Sequence, residues 1–469
     1  MTRSSVTARR ALADAAPTSF WLDSPDDPDP APPLHGETAC DLAVVGAGYT
    51  GLWTALLAKE AEPERDVLVL EGRTAGWAAS GRNGGFCASS LTHGLSNGLQ
   101  RFPADVPALE RLGRENLDAI EAAIAHYGID CGFERTGELT VATQPHQLEW
   151  LQAEAATARR FGHDVTVLDG AQVRAEIDSP TYLGAMWHRG RTALVDPARL
   201  AWGLRAAGER LGVRIAEHTP VTSVTRDGAG VRLRTAGGGV HARQVALATN
   251  AFPSLLRRAR QYVVPVYDYV LMTEPLTAAQ LDAIGWRNRQ GVGDITNQFH
   301  YYRLTRDNRI LWGGYDAIYH WRNGLRGELD QRPETFAKLA EHFFATFPQL
   351  DGMRFTHTWG GAIDTSTRFF AFQRTALGGR VAYSLGYTGL GVAAARFGAQ
   401  VMLDLLAGRE TEATRLRAVR SRPVPFPPEP LRFAGIQLTR RALARADERQ
   451  GRRGAWLRTL DRLGMGFDS

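Results

Sequence analysis

Three glycines at a fixed spacing carry the clearest chemical statement in the chain. Gly46, Gly48 and Gly51 lie in the run Leu42-Ala43-Val44-Val45-Gly46-Ala47-Gly48-Tyr49-Thr50-Gly51. Gly46 permits a tight turn, Gly48 lets the backbone approach a pyrophosphate, and Gly51 lets the following helix pack close to the strand. That helix, Leu52 to Ala61, offers free N–H groups and a positive dipole to phosphate at its start. A second apolar strand, Val67 to Leu70, ends on Glu71, an acid suited to accept hydrogen bonds from ribose hydroxyls; Gly72 follows it. Strand, glycine loop, helix, strand and acid in this order are the Rossmann dinucleotide fingerprint in its required context.

Two further glycine loops are built for close approach to a ligand. Ser80-Gly81-Arg82-Asn83-Gly84-Gly85 is too small and glycine-rich for a helix interior. Gly386-Tyr387-Thr388-Gly389-Leu390-Gly391 follows the apolar strand Val381–Leu385 and opens a helix through Leu406, aiming a second helix N-terminus at a negative group. Candidates for a substrate cage are Tyr267, Tyr269, His300, Tyr301, Tyr302 and Trp359, because aromatic faces suit cationic ligands. Their alternative role is ordinary strand packing. Alternation puts Tyr301 and Tyr302 on opposite faces, and this reading favours Tyr302 for the cofactor side. His300 is a candidate base, with a structural histidine as the alternative. Cys87 reads as a buried, inert thiol.

The elements that must position these residues follow from periodicity. Residues 106–127, 145–161, 194–211 and 334–346 are helical, with Asp196 and Pro197 a cap and first-turn pair. Val221–Val224, Val231–Arg234 and Val245–Asn250 are strands, the first two a hairpin and the third apolar enough for a buried parallel position. Tyr262–Thr273 and His300–Gly314 are longer strands of a separate sheet. The expected class is α/β: a Rossmann-type domain assembled from discontinuous segments, 37–100, 190–255 and 355–410. An α+β substrate domain, 101–189 and 256–354, carries a large, mostly antiparallel sheet. Residues 1–36 are a leader that Trp21 and Leu22 anchor, and 411–469 a basic helical C-terminal extension.

Composition narrows the class. A chain of 469 residues holds two or three folding units. No apolar run reaches membrane-span length, and no signal-peptide core follows the N-terminus. Cys40, Cys87 and Cys131 fit neither a disulfide framework nor a zinc site, so no metal is indicated and the cytoplasm is the expected compartment. The net charge of +5 is local: residues 411–469 hold 13 Arg against 6 acids, which leaves the body near −2. The extension reads as an amphipathic layer docked on the body. Its alternative is peripheral contact with a membrane; no nucleic-acid partner is expected.

Taken together, these motifs resemble the D-amino acid oxidase superfamily of FAD-dependent amine oxidoreductases, the glycine and sarcosine oxidase group. Gly81–Gly85, Tyr302–Thr305 with Arg309–Gly314, Trp359-Gly360-Gly361 and Gly386–Gly391 look most like its gamma-glutamylputrescine oxidoreductase branch. The resemblance implies FAD held by Gly46, Ala47, Gly48, Tyr49, Thr50 and Gly51, with Glu71 and Gly72 at the adenosine ribose. It implies that Ser80 to Gly85 run past the pyrophosphate and isoalloxazine, Val221 meets the adenine, and Ala248, Thr249 and Asn250 lie behind the cofactor. Gly386 to Gly391 would place amides and a helix dipole near the flavin N1–C2=O edge, favouring substrate oxidation. Tyr267, His300, Tyr302 and Trp359 are the catalytic candidates.

The implied reaction is hydride transfer from a primary or secondary amine to flavin N5, with O2 or another electron acceptor completing the cycle. Ala78 stands where tethered-flavin relatives carry His, so non-covalent FAD is expected. The strand matching the usual carboxylate clamp runs Gly360-Gly361-Ala362-Ile363 with no Arg before Arg368, which favours an amine with a remote polar group. Neither Lys59 nor Lys338 matches the oxygen-activating lysine of sarcosine oxidases. Two rivals remain: an FAD-dependent 2-hydroxy acid dehydrogenase using His300 as base, and a non-catalytic nucleotide-binding protein that uses its basic tail.

Overall fold

The computed structural model describes residues 3–465. The outer ends of the expected leader and C-terminal extension, residues 1–2 and 466–469, lie outside the described residues.

The apolar run Leu42–Val45 closes the strand Gly36–Val45, which pairs in parallel with Val67–Leu70 on one side and Gly238–Leu247 on the other. Arg214–Ala216 extends the sheet beyond Val67–Leu70, and Val381–Leu385 extends it beyond Gly238–Leu247. The hairpin Ser223–Asp227/Gly230–Arg234 and the strand Phe372–Ala376 add antiparallel edges. Alternate residues of the central strand feed two different cores. Leu42 and Val44 pack with the helices Tyr49–Ala61, Pro197–Arg210 and Gly391–Leu406, whereas Ala43 and Val45 pack under the hairpin. A strand covered on both faces needs an unbroken apolar run, which is what the sequence provides.

The second sheet has nine strands among the described residues and is antiparallel except where Gly291–Asp294 runs parallel to Glu138–Ala142. Its spine is Val264–Thr273, paired with Phe355–Thr365 along its length and with Ile310–Gly314 on the other side. The helix Pro333–Thr346 closes its outer face through Phe336, Leu339 and Phe343.

Two expected boundaries are corrected. Phe355–Thr365 belongs to the second sheet, because its register with Val264–Thr273 runs from Thr365 opposite Val264 to Phe355 opposite Thr273. The helix Val106–Tyr127 packs on the first core through Leu109, Leu117 and Ile120, and Asn116 Nδ2 donates to the Ala393 carbonyl at 2.9 Å. Periodicity located the helix but says nothing about which layer an amphipathic face meets. The leader is pinned as expected: Trp21 is buried and its indole donates to the Asn83 carbonyl at 3.0 Å.

Candidate active site

A cavity of about 1250 Å3 lies between the two sheets. Ordinary small-molecule sites occupy roughly 300–1,000 Å3, so this one has room for a dinucleotide and a second molecule.

Its cofactor-side wall begins at the first glycine loop. Gly46 has φ +102°, and a Cβ there would lie 2.6 Å from the Ala248 carbonyl oxygen. A Cβ on Gly51 would lie 1.8 Å from the Gly46 carbonyl oxygen. The turn and the close helix therefore both require glycine. Ser80 Oγ accepts the Tyr49 amide at 2.9 Å, and neither helix that opens on the cavity has an acid in its first turn to cancel its dipole. Glu71 is buried at the cavity edge, where it accepts the Ala47 amide at 2.7 Å, the Arg73 amide at 2.9 Å and the Trp77 indole at 3.0 Å.

The two helix-opening loops are coupled. Thr50 Oγ1 donates to the Tyr387 hydroxyl at 2.9 Å, and Tyr387 in turn contacts Ser384 Oγ at 2.6 Å. Asp364, nearly fully buried, accepts the amides of Gly386 and Tyr387. Burial pushes its carboxyl up to about 7, against the lowering effect of those amides. The Ser80–Gly85 loop is clamped from four sides. Arg82 ion-pairs with Asp330 and donates to the Trp77 carbonyl. Asn83 caps the loop internally through Ala79, Ser80 and Gly85. Trp359 donates to the Arg82 carbonyl at 2.8 Å, and Trp21 holds the Asn83 carbonyl.

The residues named from sequence mostly converge. Gly46, Gly48, Tyr49, Thr50, Glu71, Gly72, Ser80, Arg82, Asn83, Gly84, Val221, Ala248, Thr249, Asn250 and Tyr387 to Gly391 line the cavity. Ala47, Gly51, Gly81, Gly85 and Gly386 stand just behind that surface and shape the turns. Of the four catalytic candidates, Tyr267 alone lines the cavity.

The expectation for Tyr302 is corrected. Its hydroxyl meets that of Tyr182 at 2.5 Å, and its ring stacks on Trp312 in the outer core. Tyr301 has the cavity face instead. Strand alternation separated the two neighbours correctly but could not say which face was inward. His300 is held by Asp294 at 2.6 Å and His342 at 2.9 Å, with its ring stacked behind the cavity-lining Tyr315 and not itself in the lining. Trp359 is 1% exposed and packs with Trp21 and Trp202 behind the loop it braces.

Several cavity residues went unnoticed in the sequence. His93 lines the cavity, as do Glu138, Asp268, Asp316, Phe299 and Tyr315. Burial raises the Glu138 carboxyl, and it raises that of Asp268 to about 6. None belongs to a local motif; the second sheet brings them together. Arg368 does not reach the cavity, being buried against Phe370 and bonded to the Ala371 carbonyl and Ser421. Cys87 is fully buried, which pushes its thiol up. No group of side chains suited to a metal occurs among the described residues.

The C-terminal extension forms the cavity roof. Leu431, Arg432, Leu438, Thr439, Arg440 and Leu443 of the helix Leu431–Glu448 line it, as do Trp456 and Leu460 of Ala455–Arg462. Asp447 latches the first helix to the substrate sheet, accepting the Asn297 amide and Nδ2 at 2.9 and 2.6 Å and the Gln298 amide at 3.1 Å. No helix among the described residues is long and apolar enough to cross a membrane.

A dinucleotide cradle facing an aromatic, acid-lined chamber across a second sheet defines a dinucleotide-dependent oxidoreductase. The family model described as DAO, FAD dependent oxidoreductase, matches residues 41–405. The chain is 33% identical over 421 residues to the gamma-glutamylputrescine oxidoreductase of Escherichia coli (strain K12), covering 87% of this chain and 93% of that protein. It is 28% identical over 401 residues to the probable oxidoreductase OrdL of Haemophilus influenzae, covering 83% and 88%. Among solved structures, glycine oxidase from Geobacillus kaustophilus superposes with a TM-score of 0.66 at 22% identity, covering 80% of this chain and 96% of that one. The chain belongs to the DAO family of FAD-dependent oxidoreductases and is an enzyme that uses FAD. Its glycine cradle, uncancelled helix N-termini and cavity volume fit that cofactor.

Proposed function

We propose that this enzyme oxidises a primary or secondary amine, a polyamine derivative or an amino-acid-like compound, to an imine. The imine hydrolyses to an aldehyde or keto acid plus amine or ammonia. FAD supplies the hydride acceptor, flavin N5, for the hydrogen of the substrate α-carbon. The observation that carries the reading is the chamber wall: the rings of Tyr267, Phe299, Tyr301 and Tyr315 interleaved with the carboxylates of Glu138, Asp268 and Asp316. Aromatic faces and acids attract an ammonium group. Arg82, one of the arginines that line the cavity, is neutralised by Asp330. The relative from Escherichia coli, named for gamma-glutamylputrescine, supports an amine of this kind.

The chain's own residues bind, orient and exclude water; positioning carries most of the rate. The remote polar end of the substrate extends toward Arg440 in the roof, a guanidinium with no carboxylate within ion-pair distance among the described residues. Ala78 in the cavity wall has no nucleophilic atom, so no covalent tether to FAD forms at that position. O2 or another acceptor reoxidises the enzyme. The three free cysteines fit a reducing cytoplasm. The position of His300 outside the cavity lining counts against that residue as the base of a 2-hydroxy acid dehydrogenase. The roof position of the extension counts against a tail devoted to nucleic acid.

Anaerobic mixing of purified holoenzyme with a panel of polyamine derivatives, N-methyl amines, amino acids and 2-hydroxy acids tests the reading. Bleaching of the visible flavin bands by an amine is the expected result, and readmitted air then separates oxidase from dehydrogenase. Bleaching by 2-hydroxy acids alone would overturn it.

A further inference from the structure

We propose that Tyr301 and Asp268 form the amine-docking and proton-accepting pair of the chamber. The Tyr301 oxygen accepts an N–H of the substrate ammonium, and the proton leaves through Tyr301 to the Asp268 carboxylate. This inference rests on the amine-oxidation reading and assigns its unperformed step, since an ammonium has no lone pair to assist hydride loss.

Both residues line the cavity. The Tyr301 hydroxyl donates to Asp268 Oδ2 at 2.5 Å, and Asp268 Oδ1 accepts the Tyr269 amide at 2.8 Å. A tyrosine has one hydroxyl proton, and here the carboxylate takes it. The oxygen therefore presents only lone pairs to the chamber and is an acceptor there. A substrate N–H is the complementary group.

The ring is fixed in place by missing side chains. A Cβ on Gly84 would lie 2.7 Å from it, and one on Gly313 would lie 2.6 Å from its Cζ. The loop Ser80–Gly85 and the neighbouring strand Ile310–Gly314 thus leave a slot for this side chain. Phe86 meets the ring edge-on and Phe299 at a tilt. The ring edge is consequently held beside the loop that also borders the cofactor wall, with the hydroxyl over Gly313.

The proton balance closes without another reactant. The ammonium N–H bond breaks as an O–H bond forms on Tyr301, and the original Tyr301 O–H proton passes to Asp268. The products are a neutral amine with a free lone pair and a carboxylic acid. Burial favours neutral forms of both partners, lowering an ammonium and raising a carboxylic acid, so the two draw together in affinity for the proton. Asp268 is raised in this way to about 6. The charged groups on the surrounding elements are Asp316 with its partner Arg332, Arg82 with its partner Asp330, and Glu138. The first four are tied up as two ion pairs, which leaves Asp268 and Glu138 without a cationic partner among the described residues, and of these it is Asp268 that bonds to the tyrosine.

The test uses FAD-loaded enzyme and tert-butylamine, which has no hydrogen on its α-carbon and so binds without being oxidised. Calorimetric titration at pH 7 should show binding to the wild type that weakens about tenfold or more in Tyr301→Phe, the loss expected for a hydrogen bond to a charged group. Flavin content and melting temperature should be unchanged. Anaerobic flavin reduction by an amine substrate should slow in Tyr301→Phe and Asp268→Asn at pH 7. It should recover toward the wild-type rate near pH 10, where the amine arrives neutral. A purely structural role would give a deficit independent of pH. Tyr301→Phe binding tert-butylamine like the wild type, or a pH-independent deficit in both variants, overturns the pair while leaving amine oxidation standing. A wild type that binds tert-butylamine tightly but is reduced by no amine overturns the amine-oxidation reading instead.

Discussion

Asp364 accepts the amide of Gly386 at 2.5 Å and that of Tyr387 at 3.2 Å. One carboxylate at the end of the substrate-side strand Phe355–Thr365 thus holds the loop that opens the cofactor-side helix Gly391–Leu406. Relative movement of the two layers at this point would break both bonds.

The same acid gives a pH signature. Its folded value, about 7, lies above the ordinary 3.8. Between those values the native state keeps a proton that the unfolded chain has lost, so this contribution to stability falls as pH rises through the window. Asp364→Asn carries no charge at any pH. Its melting temperature relative to the wild type is expected to climb from pH 5 to pH 8. Melting curves that stay parallel across that range would refute the assignment.

Gly51→Ala places a methyl where the Gly46 carbonyl oxygen lies 1.8 Å away. The helix must move off the strand, at a cost of about 1–3 kcal/mol or more, and the cradle opens with it. The variant is expected to melt lower and to be purified with little flavin. A full flavin-to-protein ratio with an unchanged melt would contradict this reading of the turn.

His300 sits in an Asp294–His300–His342 chain off the cavity wall. His300→Ala should lower stability by about 1–3 kcal/mol through the stranded partners and leave kcat within about twofold. Urea denaturation paired with steady-state rates decides between this and a catalytic base, whose loss would depress kcat by about a hundredfold or more.

Asp447 fastens the roof to the loop at Asn297 and Gln298 through three hydrogen bonds. Asp447→Ala should raise KM severalfold with little change in kcat, because uniform substrate binding is lost rather than a contact special to the transition state. An unchanged KM across amines of different length would show that the roof does not engage substrate.

The cofactor wall was legible because its signals are local. Gly46, Gly48, Gly51 and Glu71 lie within one strand–helix–strand unit, and the turn geometry that needs them is set by neighbours in sequence. The chamber was not legible in the same way. Tyr301 and Asp268 meet only because Val264–Thr273 and His300–Leu304 flank the same strand, Ile310–Gly314. Period-2 alternation says that Tyr301 and Tyr302 diverge, but which one turns inward depends on what covers each face, here the helix Pro333–Thr346 over Tyr302. The Arg-rich extension was read as a docked layer, and the cavity beneath it left no trace in its periodicity.

The roof has an evolutionary corollary. The family model ends at residue 405, whereas the helices that close the chamber begin at Leu431. The chamber's roof is thus encoded outside the stretch that the family model matches, whereas its walls, Glu138, Tyr267, Asp268 and Tyr301 among them, are interleaved with the cofactor segments. Exchanging the C-terminal end between homologues would replace the roof alone, leaving the chamber walls and the nucleotide cradle to be inherited intact.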